Sequence, residues 1–385
     1  MRLSERVKNL QSSMTLSIRS KAAANENKNE KTFNLASGDP YFTTPRPIIE
    51  YAMKMAEGGK THYTPSSGLL ELRELISDKL KNENKIECSS DNIIITPSKT
   101  AVNMALYAIS DLGDEILIPE PYYVSYPEMA TLNGLKPVFA KLDNNFDFDF
   151  EVLEASLTVK TKAILLSNPS NPTGKVYSEK SLRLLYDFAM EHDLMLITDD
   201  IYEKFVYEGK HFSIASINGS DDHVVTVGGF SKCFSMTGWR VGYLVGNEEF
   251  ITQVNKIQQH LITCAPSISQ HAAVYALKHK DLIQQFYEEF HKRRTMVNNI
   301  LKKCSVLKYT MPDGGFYYFP SIGETINNVG FANELLAKKN VSVTPGIAFG
   351  QSYGNHFRLS FVAASYDDVK TGTERIVDFI EKKTN

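Results

Sequence analysis

Short apolar runs alternate with stretches of helical spacing along most of the chain. The first periodic stretch puts Ile48, Ile49, Ala52, Met53 and Ala56 on one helix face. Thr44 stands before it as a capping residue, Pro45 fits its first turn, and Gly58-Gly59 ends it. A second helix, over about residues 69–82, carries Leu72, Leu75, Ile76 and Leu80 on one side. Continuous apolar runs follow at 92–96 (NIIIT), 115–118 (EILI), 163–167 (AILLS), 194–198 (LMLIT), 224–227 (VVTV) and 241–245 (VGYLV). Helices are predicted between them, including 101–110 and 182–191. Strands buried on both faces lose polar alternation, and alternation with helices implies a mostly parallel sheet sandwiched by helices. A charged helix over 281–299 then leads into a second, α+β region.

Composition narrows the classes. A chain of 385 residues is long for one core, so two domains and a buried site between them are expected. Hydrophobic residues make up 42% and charged residues 23%, as in ordinary globular proteins. A formal net charge of -3 offers no basic field for nucleic acid. The cysteines Cys88, Cys233, Cys264 and Cys304 are scattered with no CxxC pair, which points to neither a metal site nor a disulfide framework. The N-terminal stretch is polar, without the apolar core of a signal peptide, and its segment Asn25–Glu30 reads as flexible. No apolar run approaches the ~18 residues that would span a bilayer. The expectation is a cytoplasmic protein that uses neither membrane nor nucleic acid.

Candidate chemistry collects where the strands end, which is where open parallel sheets bind ligands. NIIIT is followed by Ser98-Lys99-Thr100 at a helix start, either a plain cap or an anion site. EILI is followed by Pro121-Tyr122-Tyr123, aromatics that pack or that stack on a flat ring. AILLS leads into Asn168-Pro169-Ser170-Asn171-Pro172-Thr173-Gly174, a rigid turn that can present Asn171 as a donor. LMLIT leads into Asp199-Asp200-Ile201-Tyr202, and an acidic pair behind a buried strand needs partners. VVTV leads into Gly229-Phe230-Ser231-Lys232 and on to Gly238-Trp239-Arg240. A lysine amine can form a Schiff base with an aldehyde, and an arginine fork can hold a phosphate. Jointly these parts describe a site for pyridoxal 5'-phosphate: amine, pyridinium carboxylate, phosphate cup, ring stack and donors to the phenolic oxygen.

With these motifs, and with Gly38-Asp39-Pro40, Tyr63-Thr64-Pro65-Ser66-Ser67-Gly68 and Phe357-Arg358-Leu359-Ser360, the chain resembles class I aminotransferases of the aspartate aminotransferase superfamily from about Ser13 onward. The resemblance implies a fold type I enzyme. Its large cofactor-binding domain would span 46–288, and a small α+β domain would be built from 1–45 and 289–385. It implies that Lys232 holds the cofactor aldehyde and shuttles the proton, that Asp199 faces the ring nitrogen, and that Asn171 and Tyr202 face the phenolic oxygen. Tyr123 would stack on the ring. Ser98, Lys99, Thr100 and Arg240 would take the phosphate, with Tyr63 reaching it from the other subunit of a homodimer. Arg358 would clamp the substrate α-carboxylate, with Gly38 and Asn171 beside it.

Two departures bear on this chain. Gly229 stands where many members carry a serine, so one phosphate hydroxyl is missing. The phosphate loop is one residue shorter than its glycine-rich form, and that gap aligns Lys99 with a lysine that meets the distal carboxylate of dicarboxylic substrates. The expected reaction moves an amino group from an L-amino acid to a 2-oxo acid, with aspartate and 2-oxoglutarate as the leading pair. An aromatic or broad-specificity aminotransferase is the alternative, with a β-lyase on the same fold behind it.

Overall fold

The computed structural model describes residues 2–14, 17–18, 31–220, 222–323 and 328–384; the segment Asn25–Glu30 lies outside the described residues. In chain order the strands are β1 (Phe33–Asn34), β2 (Ile93–Ile95), β3 (Glu115–Glu120), β4 (Lys136–Lys141), β5 (Thr161–Ser167), β6 (Met195–Asp199), β7 (Val224–Gly229), β8 (Gly242–Val245), β9 (Tyr317–Tyr318), β10 (Val341–Ser342), β11 (Thr344–Pro345) and β12 (Phe357–Ser360). Seven of them form one sheet in the order β2-β8-β7-β6-β5-β3-β4. Its strands are parallel except β8, which runs antiparallel to both β2 and β7.

Period-2 side-chain direction explains why these runs are apolar throughout. Ile116, Ile118, Ala163 and Leu165 enter one core layer, beneath the helices Ser98–Ile109, Tyr126–Leu132 and Glu248–Leu261. Their neighbours Leu117, Ile164 and Leu166 enter the opposite layer, against Leu182, Leu185 and Phe188 of the helix Glu179–Glu191. The sheet is therefore covered on both faces, the sandwich of helices about a mostly parallel sheet that the sequence leads one to expect.

A second cluster of elements lies at the chain ends. β1 pairs in parallel with β10, and β11, β12 and β9 make an antiparallel sheet. The helix Tyr366–Thr384 packs on Gln284–Leu301. Among the described residues no helix is long and apolar enough to cross a membrane, and all four cysteines are free thiols.

Local details differ from the sequence pattern for identifiable reasons. The first long helix is Arg46–Glu57, its cap is Pro45, and Thr44 does not cap it. The Thr44 hydroxyl instead donates to the Ser235 carbonyl (2.7 Å) and accepts from Trp239 Nε1 (2.9 Å). The second helix covers Leu70–Lys79 and then widens into a π-turn, Leu80–Asn84, closed by Lys85 in the left-handed region. The charged helix starts at Gln284, behind a 3₁₀ turn at Lys280–Ile283. β4 has no counterpart among the predicted runs. Its sequence KPVFAK carries lysines and a proline, as a sheet edge tolerates.

Candidate active site

Parallel strands deliver their carboxyl ends to one edge of the sheet, and register sets which residues meet there. Ser167 at the end of β5 lies beside Asp199 at the end of β6, and Asp199 lies beside Val227 of β7. A cavity of about 370 Å³ opens at this edge. Ser98, Lys99, Tyr123, Asn171, Asp199, Tyr202, Lys232, Arg240, Arg358 and Gly38, all expected site residues, line it. Two expected residues do not. Thr100 lies one place further into its helix and is absent from the lining, and Tyr63 is 85% exposed on this chain's surface.

Lys232 borders the cavity with its Nζ donating to the Gly38 carbonyl at 2.9 Å. Burial pushes its amine down to about 8, against an ordinary value near 10.5; Arg358 adds to the drop, while Asp39 and Asp199 oppose it. Asp199 accepts from the Tyr126 hydroxyl at 3.0 Å and from the Ile201 amide at 3.3 Å. Burial raises its carboxyl to about 6, although both hydrogen bonds favour the ionised form. The neighbouring Asp200 turns the other way, accepting from His211 (3.1 Å) and Ser213 (3.3 Å). Burial alone would depress His211, but Asp200 and Glu203 outweigh it and raise the imidazole. The two carboxylates thus have separate partners, and Asp199 is the one on the cavity.

Arg358, on β12, is 2% exposed. Its guanidinium donates to Asn171 Oδ1 (2.8 Å) and the Ala36 carbonyl (2.7 Å), and lies 4.3 Å over the Tyr317 ring and 4.8 Å over Phe349. Its Nε is buried without a hydrogen-bond partner. An unpaired charged donor on a side chain that lines the cavity suits an incoming carboxylate. Asn171 also reaches the Tyr202 hydroxyl through a long 3.4 Å contact, and Tyr202 meets the Tyr317 hydroxyl at 3.1 Å. Burial, then Tyr317, hold Tyr202 well above the ordinary phenol range, so it stays a neutral hydroxyl.

The anion end is built by close approach. The Ser98 hydroxyl donates to the Gly228 carbonyl at 2.9 Å. A Cβ at Gly229 would lie 2.5 Å from that hydroxyl, and one at Gly242 would also collide with it. Glycine at both places is what lets Ser98 sit there. Arg240 holds a left-handed backbone (φ 54°) and donates to the Thr237 carbonyl at 2.8 Å. Lys99 is exposed at the rim, bonded to Ser125 Oγ at 3.0 Å and 5.5 Å over the Tyr123 ring.

Sequence reasoning missed Tyr126, Ser167 and Tyr317, which also line the cavity. The spacing of Tyr126 from Tyr123 at a helix start was a usable signal, since such neighbours share a side; the rings meet edge to face at 5.3 Å. Nothing local marks Tyr317, whose partners are distant in sequence.

Residues 30–376 match the family Aminotransferase class I and II. The chain is 41% identical over 383 residues to the (5-formylfuran-3-yl)methyl phosphate transaminase of Methanocaldococcus jannaschii, covering 99% of this chain and 100% of that protein. It is 37% identical over 394 residues to the aspartate aminotransferase of Bacillus subtilis, covering 99% and 100% respectively. The aspartate aminotransferase of Thermus thermophilus with maleate superposes with a TM-score of 0.92 at 34% identity, over 98% of this chain and 100% of that one. A family match over most of the chain, whole-length relatives and a matching fold lead to one conclusion: the chain belongs to the class I and II aminotransferases and transfers amino groups.

Proposed function

We propose that this aminotransferase uses pyridoxal 5'-phosphate to move the amino group of L-aspartate to 2-oxoglutarate. The observation that carries the cofactor reading is the shared cavity of Lys232, Asp199 and Arg358, with an amine lowered to about 8 and a guanidinium Nε left unpaired. The donor set fits a phosphorylated pyridine aldehyde. Lys232 offers an amine to the aldehyde, Asp199 a carboxylate to the ring nitrogen, and Asn171 and Tyr202 face the phenolic oxygen. Ser98, seated among glycines, and Arg240 suit the phosphate, and Tyr123 suits the ring face. When bound, such a group supplies an electron sink for the pair released as the substrate α-C–H bond breaks.

The protein's own residues do the rest. Arg358 orients the substrate by its α-carboxylate, the group common to all amino acids. Lys232, lowered to about 8 and so partly unprotonated at physiological pH, takes the α-proton and returns one to the product side. Asp199 holds positive charge at the ring nitrogen's place, as a buried carboxylate with two donors can. Lys99, at the rim, offers its ammonium to a second carboxylate.

The same reading makes 46–288 the cofactor-binding domain and 1–45 with 289–385 the small domain. The pairing of β1 with β10 and the Thr344 hydroxyl donating to the Ala36 carbonyl (3.2 Å) support it. We further propose a cytoplasmic homodimer in which Tyr63, exposed here, completes the partner's phosphate site.

A second reading has one support, the 41% identical relative named for a phosphate-bearing aldehyde. Lys99 would then meet a phosphate ester rather than a carboxylate. A panel of amino donors against 2-oxoglutarate tests the proposal. Aspartate should give the highest kcat/KM with ping-pong kinetics. Preference for aromatic donors, or ammonia release in place of transfer, would overturn the substrate assignment.

A further inference from the structure

We infer that Tyr126 is a positioning residue that keeps Asp199 ionised and aimed at the cofactor ring. This rests on the cofactor reading above and deepens it. Ser167, Tyr126 and Asp199 come from three different elements and meet here. The Asn171 amide donates to Ser167 Oγ at 3.2 Å. Ser167 stands beside the Tyr126 phenol and acts on it. The Tyr126 hydroxyl donates to Asp199 Oδ2 at 3.0 Å. Ser167 and Asp199 are register partners on β5 and β6, so the sheet itself fixes two of the three members. Tyr126, 1% exposed, is fixed by the core layer it shares with Met129 and Ala130.

The phenol itself stays neutral. Burial, and then the adjacent Asp199 charge, push it well above the ordinary phenol range. A neutral donor has no proton to lose near neutrality and stabilises the ionised form of its acceptor. The titratable groups facing Asp199 are Tyr126, Asp200 and Lys232. Asp200 opposes ionisation and Lys232 favours it, but Asp200 already has His211 and Ser213, and Lys232 is spent on Gly38. Tyr126 is the side chain in direct contact. The same ring meets Tyr123 edge to face, so one residue supports both the carboxylate and the aromatic that suits the ring face.

The test is the pH dependence of pyridoxal phosphate affinity in the apoprotein, followed by cofactor absorbance. In wild type the acid limb should fall near the Asp199 value of about 6. Tyr126→Phe keeps the ring and removes the donor, and should move that limb upward by roughly one pH unit, about fivefold weaker binding at pH 6 and about tenfold well below it. Titration of Lys232 is common to both proteins and cancels in the comparison. Ser167→Ala should shift the limb the same way by less, and it serves as the second variant should Tyr126→Phe fail to fold. An unshifted limb in a folded, cofactor-binding variant overturns the inference while sparing the cofactor reading. Failure of wild type to bind pyridoxal phosphate overturns both.

Discussion

The Lys232 ammonium rests on the carbonyl of Gly38, 2.9 Å away, and Gly38 can be nothing larger. A Cβ there would collide with the Tyr317 hydroxyl. The contact parks a partly desolvated amine at the cavity wall. With its pKa lowered to about 8, roughly one amine in ten is neutral at pH 7, against about one in 10³ for an ordinary lysine. The neutral form is the nucleophile, so capture of pyridoxal phosphate by the apoprotein should slow as pH falls through about 8. Stopped-flow absorbance reads that midpoint, and a midpoint near 10.4 would contradict the lowered amine. Lys232→Ala should abolish both transamination and borohydride fixation of the cofactor while leaving the fold intact.

Asp199→Ala should keep some cofactor and lose most of the rate. The missing charge contact costs several kcal/mol of transition-state stabilisation, on the order of 10²-fold or more. Asp200 cannot substitute, because His211 and Ser213 hold it away from the cavity. Near-normal kcat in the variant would show that no carboxylate is needed at this place.

These two residues were legible in the sequence because each stands just beyond a buried apolar run, and the runs order the sheet. Asn171 and Ser98 were legible for the same reason. Tyr126 and Tyr317 were hidden because their partners, Asp199 and Tyr202, come from other elements and meet them by tertiary packing alone. Edge strand β4 was hidden by its lysines and proline, and Thr44 misled because its hydroxyl is claimed by Ser235 and Trp239. The absent serine at 229 read as a loss. The structure shows the space already taken by the Ser98 hydroxyl.

That crowding makes a reciprocal prediction. Gly229→Ser would bring its Cβ to 2.5 Å from Ser98 Oγ and 3.0 Å from Ile201 Cδ1. Overpacking of this kind costs about 1–3 kcal/mol; borne at the phosphate end of the site, that strain should lower cofactor affinity by roughly 5- to 150-fold. Adding Ser98→Ala removes the colliding hydroxyl and should recover much of the loss, with the new serine in its stead. Fluorescence titration of the four proteins with pyridoxal phosphate gives the coupling. Additive losses would mean that the two positions do not share the space.

Arg358→Lys should raise KM for every amino acid substrate and spare cofactor binding. Lysine cannot reproduce the fork that holds Asn171 and Ala36 while leaving Nε for a carboxylate. Steady-state kinetics on several donors checks it. A loss confined to one substrate class would mean that Arg358 reads a side chain.

Lys99→Ala decides whether a second carboxylate is read. The ammonium lies at the rim, bonded to Ser125 and over Tyr123, within the same cavity as Arg358 but exposed. An exposed charge is worth less than a buried one, so the penalty for aspartate should sit near the low end for a hydrogen bond to a charged group. That is about 1.5 kcal/mol, or roughly tenfold in kcat/KM. Phenylalanine presents no second carboxylate and should change little. Were Lys99 part of the phosphate site instead, every substrate would suffer together through poorer cofactor retention. The ratio of kcat/KM for aspartate to that for phenylalanine, measured at saturating cofactor, separates the two. A tenfold fall in the ratio assigns the rim lysine to substrate choice, and an unchanged ratio removes it from that role.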